Sequence, residues 1–271
     1  MKYLYIIGLL IIITACEETV LIEVDQAEER FIIEALVTNQ PDKQVVRISR
    51  TVDFYAEGIS PAVSGAQVSV SSSNGTEHGY VEIDTIPGVY VPVQPFVGEV
   101  GLTYDLNVQI GERAFTASEE LLPVTTVDSL TYEIDEERLA ERGPNAFVYD
   151  VLLYTKEPQD EENFYLFKFY RNGEELNDNG EDIAVTDDVA VGEAIEGLEL
   201  PEHHSLGDSV SIEMYSLTRT QFIYWSDVAN LIFSDGGVFS PLPANPRSNI
   251  EGGALGVFQV SALEDDYIII E

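Results

Sequence analysis

The chain predicts a mainly β protein: an N-terminal β-sandwich over residues 30–122, then a second β-rich domain over 123–271 with one inserted α-helix near 219–233. Three observations predict it. Apolar residues recur every second position through most of the chain, which is the side-chain period of a half-buried strand. Turn dipeptides such as Asn74-Gly75 and Asn172-Gly173 punctuate these runs at short intervals. Only one stretch, after Thr218, changes to a helical period.

In order along the chain, Phe31, Ile33, Ala35 and Val37 share one face, and Asn39-Gln40-Pro41-Asp42 has turn composition. Val46 and Ile48 begin the next strand. Ala66, Val68 and Val70 alternate with Gln67, Ser69 and Ser71 before the Asn74-Gly75 hairpin signal, and Ile86-Pro87-Gly88-Val89-Tyr90 turns into another strand. Tyr104, Leu106, Val108 and Ile110 alternate with Asp105, Asn107 and Gln109, after which Gly111-Glu112 returns the chain toward Phe115. Short strands with frequent turns suggest a small antiparallel sandwich. Leu122-Pro123-Val124 reads as an extended linker, because proline lacks a donor and holds its predecessor in β geometry.

Beyond the linker, 148–154 and 164–170 are aromatic and β-branched strand candidates, and 178–199 is acidic and read as loop. Val210, Ile212 and Met214 resume alternation after Leu206-Gly207-Asp208. Phe222, Trp225, Ala229 and Ile232 then fall on one helical face. Thr218 and Gln221 have capping-box spacing, and Asp235-Gly236-Gly237 supplies a stop. A Pro-rich loop at 241–246 precedes a glycine-rich strand around 254–260. Burial is the default for Phe222, Trp225 and Phe164-Tyr165-Leu166-Phe167; exposed, they would mark a docking surface or glycan platform.

Composition limits the function. Forty-five per cent apolar and 10% aromatic residues suffice for packed cores. The formal charge of −36, from 13 basic and 49 acidic residues, repels phosphate backbones and excludes nucleic acid as a partner. It also repels anionic membranes, so membrane attachment requires a lipid and not a basic patch.

The start of the chain supplies such a device. Lys2 precedes an apolar run from Leu4 to Ile13, then Ile13-Thr14-Ala15-Cys16. Charged start, short apolar run and small residues are the order of a cleaved secretory signal, here residues 1–15. The cysteine after Ala15 resembles the lipobox of bacterial lipoproteins, which implies acylation (palmitate-type chains) at Cys16. Cys16 is the sole cysteine, so it has no disulfide partner within the chain. Buried methylenes contribute about 0.8 kcal/mol each, so two or three acyl chains anchor a protein durably. Residues 16–29 carry six acids and no base, and read as a tether.

Motifs for chemistry are sparse. There is no Gly-x-Ser-x-Gly elbow, and Gly252-Gly253-Ala254-Leu255-Gly256 lacks the lysine and helix start of a phosphate loop; close backbone approach in a core strand explains it better. Forty-nine acids offer many carboxylate pairs, so pairing alone identifies no hydrolase. Of the three histidines, His78 lies beside a hairpin turn, and His203-His204 would point to opposite faces of a strand and not chelate one metal together. Glu175, Asn177 and Asn179 place oxygens at alternating positions before Gly180, as a calcium loop does, but Thr186 stands where its bidentate acid belongs. No cofactor is expected, and a solvated loop is preferred over a calcium site.

Several blocks taken together identify a resemblance. They are 31–39 (FIIEALVTN), 46–51 (VRISRT), 63–68 (VSGAQV), 87–90 (PGVY), 98–104 (GEVGLTY), 121–124 (LLPV) and 249–258 (NIEGGALGVF). In this order they resemble the domain-of-unknown-function 4249 family of Bacteroidota envelope lipoproteins. The resemblance implies an accessory lipoprotein of a TonB-dependent outer-membrane transporter, and it brings no catalytic residues to carry over. The first domain is also similar to transthyretin-type or Ig-like sandwiches, as a fold-level analogy. The expectation is therefore a non-catalytic lipoprotein of the outer membrane, on its surface or periplasmic face, acting as an accessory or ligand-capture subunit of such a transporter. The alternatives are a stand-alone adhesin or glycan-binding lipoprotein and, third, an envelope hydrolase.

Overall fold

In the computed structural model, residues 28–52, 60–143, 146–156, 162–176, 183–187, 194–233 and 244–271 are described. The first strands are β1 (Phe31–Thr38), β2 (Val45–Arg50), β3 (Gln67–Ser72), β4 (Glu77–Glu82), β5 (Val89–Pro92), β6 (Thr103–Ile110) and β7 (Arg113–Glu120); β1, β2, β3 and β6 follow the predicted alternation. Next come β8 (Val127–Ile134), a short helix α1 (Glu136–Arg142), β9 (Tyr149–Lys156), β10 (Phe164–Arg171) and β11 (Glu174–Glu175). β12 (Ile183–Asp187), β13 (Ala194–Glu199), β14 (Ser209–Leu217), helix α2 (Arg219–Phe233), β15 (Leu255–Ser261) and β16 (Leu263–Ile269) complete the chain. The protein is mainly β, as its alternation predicts.

The first sheet has the order β15-β1-β2-β5-β4-β3-β6-β7. Ile33, Ala35, Val37, Ile48, Val70, Leu106, Val108 and Phe115 point to one side and form a single core. The sheet folds over that core, and its two ends meet: the Glu251 N–H donates to the Thr116 carbonyl at 2.8 Å, just ahead of β15. One pairing departs from the antiparallel expectation. β15 lies parallel to β1, from Ile32↔Leu255 to Thr38↔Ser261. The sheet begun by residues 30–122 thus takes its terminal strand from near the end of the chain, a pairing no local pattern signals.

Gly256 makes this pairing possible. A Cβ there would lie 2.1 Å from the Ile33 carbonyl oxygen, and its φ of +98° favours glycine. Gly252, where a Cβ would lie 2.5 Å from the Ala114 oxygen, does the same beside β7. Close backbone approach is therefore the reason for the glycine cluster.

Two further sheets follow. β11-β10-β14-β16, with β12 also on β10, faces the three-stranded sheet β13-β9-β8. Tyr165, Phe167 and Phe169 of β10 pack with Val151, Leu153, Ile212 and Met214 in the core between them. On the opposite side of β10, Phe164 and Leu166 pack with Tyr215, Leu217 and Leu263, against Phe222 and Trp225 of α2. Both faces of β10 are covered, which is why its sequence is apolar without alternation. Phe164, Tyr165, Leu166 and Phe167 are buried as expected, and Phe222 and Trp225 are partly buried against them: Phe164 and Phe222 stack at 4.7 Å, and the Trp225 indole N–H donates to Gln259 Oε1 at 3.0 Å.

The turn after β1 couples the two parts. Asn39 pairs with the backbone of Leu263 through Nδ2 and Oδ1 at 3.2 and 2.8 Å, and Gln40 donates to Asp265 Oδ1 at 2.9 Å. Lys43 forms a short ion pair with Glu213, which also accepts from Tyr170 and Tyr215 at 2.7 and 2.6 Å.

The expectation that 178–199 is loop needs correction, since β12 and β13 lie within it. Both are edge strands, and β13 carries a bulge between Glu196 and Leu198 at Gly197, whose φ is +77°. A bulge shifts side chains between faces and so breaks the period on which a strand reading depends. The stop at Asp235-Gly236-Gly237 lies outside the described residues.

Candidate functional site

The outer face of β3, β6 and β7 is built from short polar side chains in register. Three rungs cross it: Gln67–Gln109–Ala114, Ser69–Asn107–Thr116 and Ser71–Asp105–Ser118. Alternation places them there, because their neighbours Val68, Val70, Leu106, Val108, Phe115 and Ala117 face the core. Strands lie about 4.8 Å apart and same-face residues about 7 Å apart along a strand, so the rungs form a grid of amides and hydroxyls that also holds the Asp105 carboxylate and the Ala114 methyl. The amides and hydroxyls can both donate and accept, whereas the Asp105 carboxylate only accepts.

The grid floors two adjoining clefts that share Asn107 and Thr116, one of 660 Å³ and one of 370 Å³. Glu77 stands on the rim of the smaller; Glu119, Thr220, Asn249 and Glu251 border the larger. No Lys, Arg or His lines either. The surface is therefore suited to neutral, hydrogen-bonding ligands and unsuited to anions.

Glu119 sits where β7, α2 and the residues before β15 converge. It is 8% exposed. Its Oε2 accepts from Thr218 Oγ1 at 2.6 Å, and its Oε1 accepts from Asn249 Nδ2 at 2.8 Å. Burial pushes its carboxyl above the usual carboxylate range, with these two hydrogen bonds opposing. Thr218 simultaneously caps α2: its Oγ1 accepts from Gln221 N at 3.4 Å, and Gln221 Oε1 accepts from Thr218 N at 3.2 Å. The capping box read from the sequence is thus present, and it orients a buried carboxylate at the positive end of the helix. With both oxygens engaged in joining elements, Glu119 is a structural residue at the cleft margin.

A second polar cluster lies elsewhere. Asp135, Asp150 and His203 bring their donor atoms within 4.8 Å of one another. His203 Nδ1 contacts Asp150 Oδ1 at 2.5 Å. Asp135 is the N-cap of α1, accepting from Arg138 N at 3.0 Å, and that bond above all holds its carboxyl below its usual range. His204 faces the other way into the interior, fully buried with both ring nitrogens unpartnered, and burial lowers it to about 4. The two histidines separate as their adjacency requires. His78 stacks on Phe96 with ring centroids 3.7 Å apart, and partial burial lowers its pKa.

Among the residues singled out from sequence, Glu175 lies on β11 and its Oε1 accepts from Lys168 Nζ at 2.9 Å. Asn177, Asn179 and Cys16 lie outside the described residues. The polar grid went unread as a site, although the sequence carries its signal: solvent-side positions of three strands are mostly Ser, Thr, Asn and Gln, joined by Asp105, Ala114 and Glu120, with no lysine. The Asp135–Asp150–His203 cluster has no such signal, since its members share no motif spacing. Among the described residues no helix is long and apolar enough to cross a membrane.

Residues 17–265 match a family model described as a domain of unknown function, DUF4249. No curated protein matches the chain.

Proposed function

The chain belongs to the domain-of-unknown-function 4249 family, and on that premise we propose that it is a non-catalytic, lipid-anchored outer-membrane protein serving a TonB-dependent transporter by capturing ligand. The observation that carries the reading is the grid on β3, β6 and β7. Its amides and hydroxyls would hold a polar ligand by hydrogen bonds across a broad surface. The Ile13-Thr14-Ala15-Cys16 sequence supports the anchor, and the tether 16–29 would set the folded part away from the bilayer. The −36 charge agrees with attachment through lipid and not through basic residues.

The test is affinity purification of the detergent-solubilised protein from native outer membranes. Co-purification of a β-barrel transporter in fixed ratio supports the proposal; a clean monomer lacking acyl chains on Cys16 refutes it. A stand-alone glycan-binding lipoprotein is the second reading, favoured by the same hydroxyl and amide lining. Glycan-array binding by the protein without any co-purifying barrel would select it.

A further inference from the structure

Asp135, Asp150 and His203 serve neither the grid nor the anchor, and we propose that they form a binding site for one divalent transition-metal cation of the Zn²⁺ type. The three donors come from separate elements: Asp135 precedes α1, Asp150 is the second residue of β9, and His203 lies in the segment leading to β14. Their donor atoms lie within 4.8 Å of one another. Ligands at about 2.0–2.2 Å from zinc in tetrahedral geometry stand roughly 3.5 Å apart. The widest pair has to close and the His203 Nδ1–Asp150 Oδ1 pair to open, each by about an ångström, within the reach of side-chain rotation.

The chemistry favours a borderline cation over calcium. One imidazole nitrogen and two carboxylate oxygens are a Zn²⁺ or Mn²⁺ donor set, whereas Ca²⁺ takes six or more oxygens. The three side chains are between 14% and 27% exposed, so their charges are less screened than those of the acids scattered over the surface. His203 Nδ1 and Asp150 Oδ1 lie within hydrogen-bond distance of each other. On coordination that hydrogen bond is replaced by one bond from each atom to the metal, and the neutral ring carries its proton on Nε2. Three protein ligands leave a fourth position for water or a ligand group.

Arg138 sets the limit on affinity. Its Nε is 3.5 Å from Asp135 Oδ2, and its backbone N–H donates to Oδ1. It orients the carboxylate while placing a positive charge beside the site. Fully buried His204, turned away, adds no ligand.

The experiment is calorimetric titration of the metal-free protein with ZnCl₂ in excess CaCl₂, which saturates diffuse binding to surface acids. One Zn²⁺ per chain is expected, with affinity at least about tenfold weaker in His203→Ala and in Asp150→Asn and unchanged in His78→Ala. Asp150→Asn is nearly isosteric and guards against loss of fold in His203→Ala; circular dichroism checks both. Absence of a stoichiometric site in the wild type, or its persistence in both cluster variants, overturns the proposal. Either result leaves the transporter reading untouched, because that rests on the grid and the anchor.

Discussion

Replacing Gly256 by alanine tests the parallel β1–β15 pairing. The new Cβ would meet the Ile33 carbonyl oxygen at 2.1 Å and its carbon at 2.8 Å. Ordinary contacts of this kind require about 3.4 Å or more, so β15 must retreat by more than about an ångström or break its bonds to β1. Alanine at φ +98° adds about 1–3 kcal/mol of backbone strain. Losing two ladder hydrogen bonds adds about 2 kcal/mol. The sum is about 3–5 kcal/mol, a large part of the 5–15 kcal/mol that typically separates folded from unfolded protein. Urea unfolding followed by fluorescence of Trp225, the sole tryptophan, reads the region directly, because its indole bonds Gln259 on β15. With a slope of about 2–3 kcal/mol per molar urea, the midpoint should fall by about 1–2 M. Gly75→Ala is the control: its φ is +91° but a Cβ there would touch nothing within 4 Å, so only backbone strain applies. Equal losses in the two variants would refute the close approach.

Other outcomes follow from the same contacts. Leu106→Ala empties a fully buried core position of the folded-over sheet and should cost about 2–5 kcal/mol by urea unfolding, whereas Val93→Ala, 66% exposed, should cost little. Thr218→Ala removes the α2 cap and the donor to Glu119 Oε2; about 1–2 kcal/mol of stability should be lost, measurable by thermal melting. Burial pushes the Glu213 carboxyl upward, but Lys43, Tyr215 and Tyr170 outweigh it and hold the pKa below the usual value. A depressed folded-state pKa means stability that is present above the unfolded value, near 4.5, and is lost as pH falls through the folded one. Urea midpoints measured at successively lower pH should therefore drop more steeply in the wild type than in Glu213→Gln. Cys16→Ser should move the protein from the membrane pellet to the soluble fraction if the anchor proposal holds; retention in the pellet would refute it.

How much was legible depended on whether the cause was local. The strands from Phe31 to Phe115 announce themselves, because one buried face and one wet face impose a period of two. The α2 start is equally local, written in Thr218 and Gln221. β10 read correctly as a strand, but the cover on its two faces came from β9 and α2, which its own residues do not specify. β13 was hidden by a single bulge at Gly197. The polar grid needed three strands aligned in register before isolated serines and asparagines became a surface. The Asp135–Asp150–His203 cluster needed the loop at His203 to return to the start of β9, which the Tyr149–His204 backbone bonds secure.

The parallel union of β1 with β15 also constrains how the molecule comes into being. A polypeptide emerging from ribosome or translocon offers β1 first, yet its partner arrives almost last. Until residues 255–261 appear, one edge of the leading sheet stays open, and Ile33, Val37 and their neighbours lack the cover of Phe258 and Val260. Such distant pairing slows folding, since the entropy of closing a long loop is lost before contacts compensate. The same pairing makes loss of residues 255–261 as damaging to the first sheet as to the later ones.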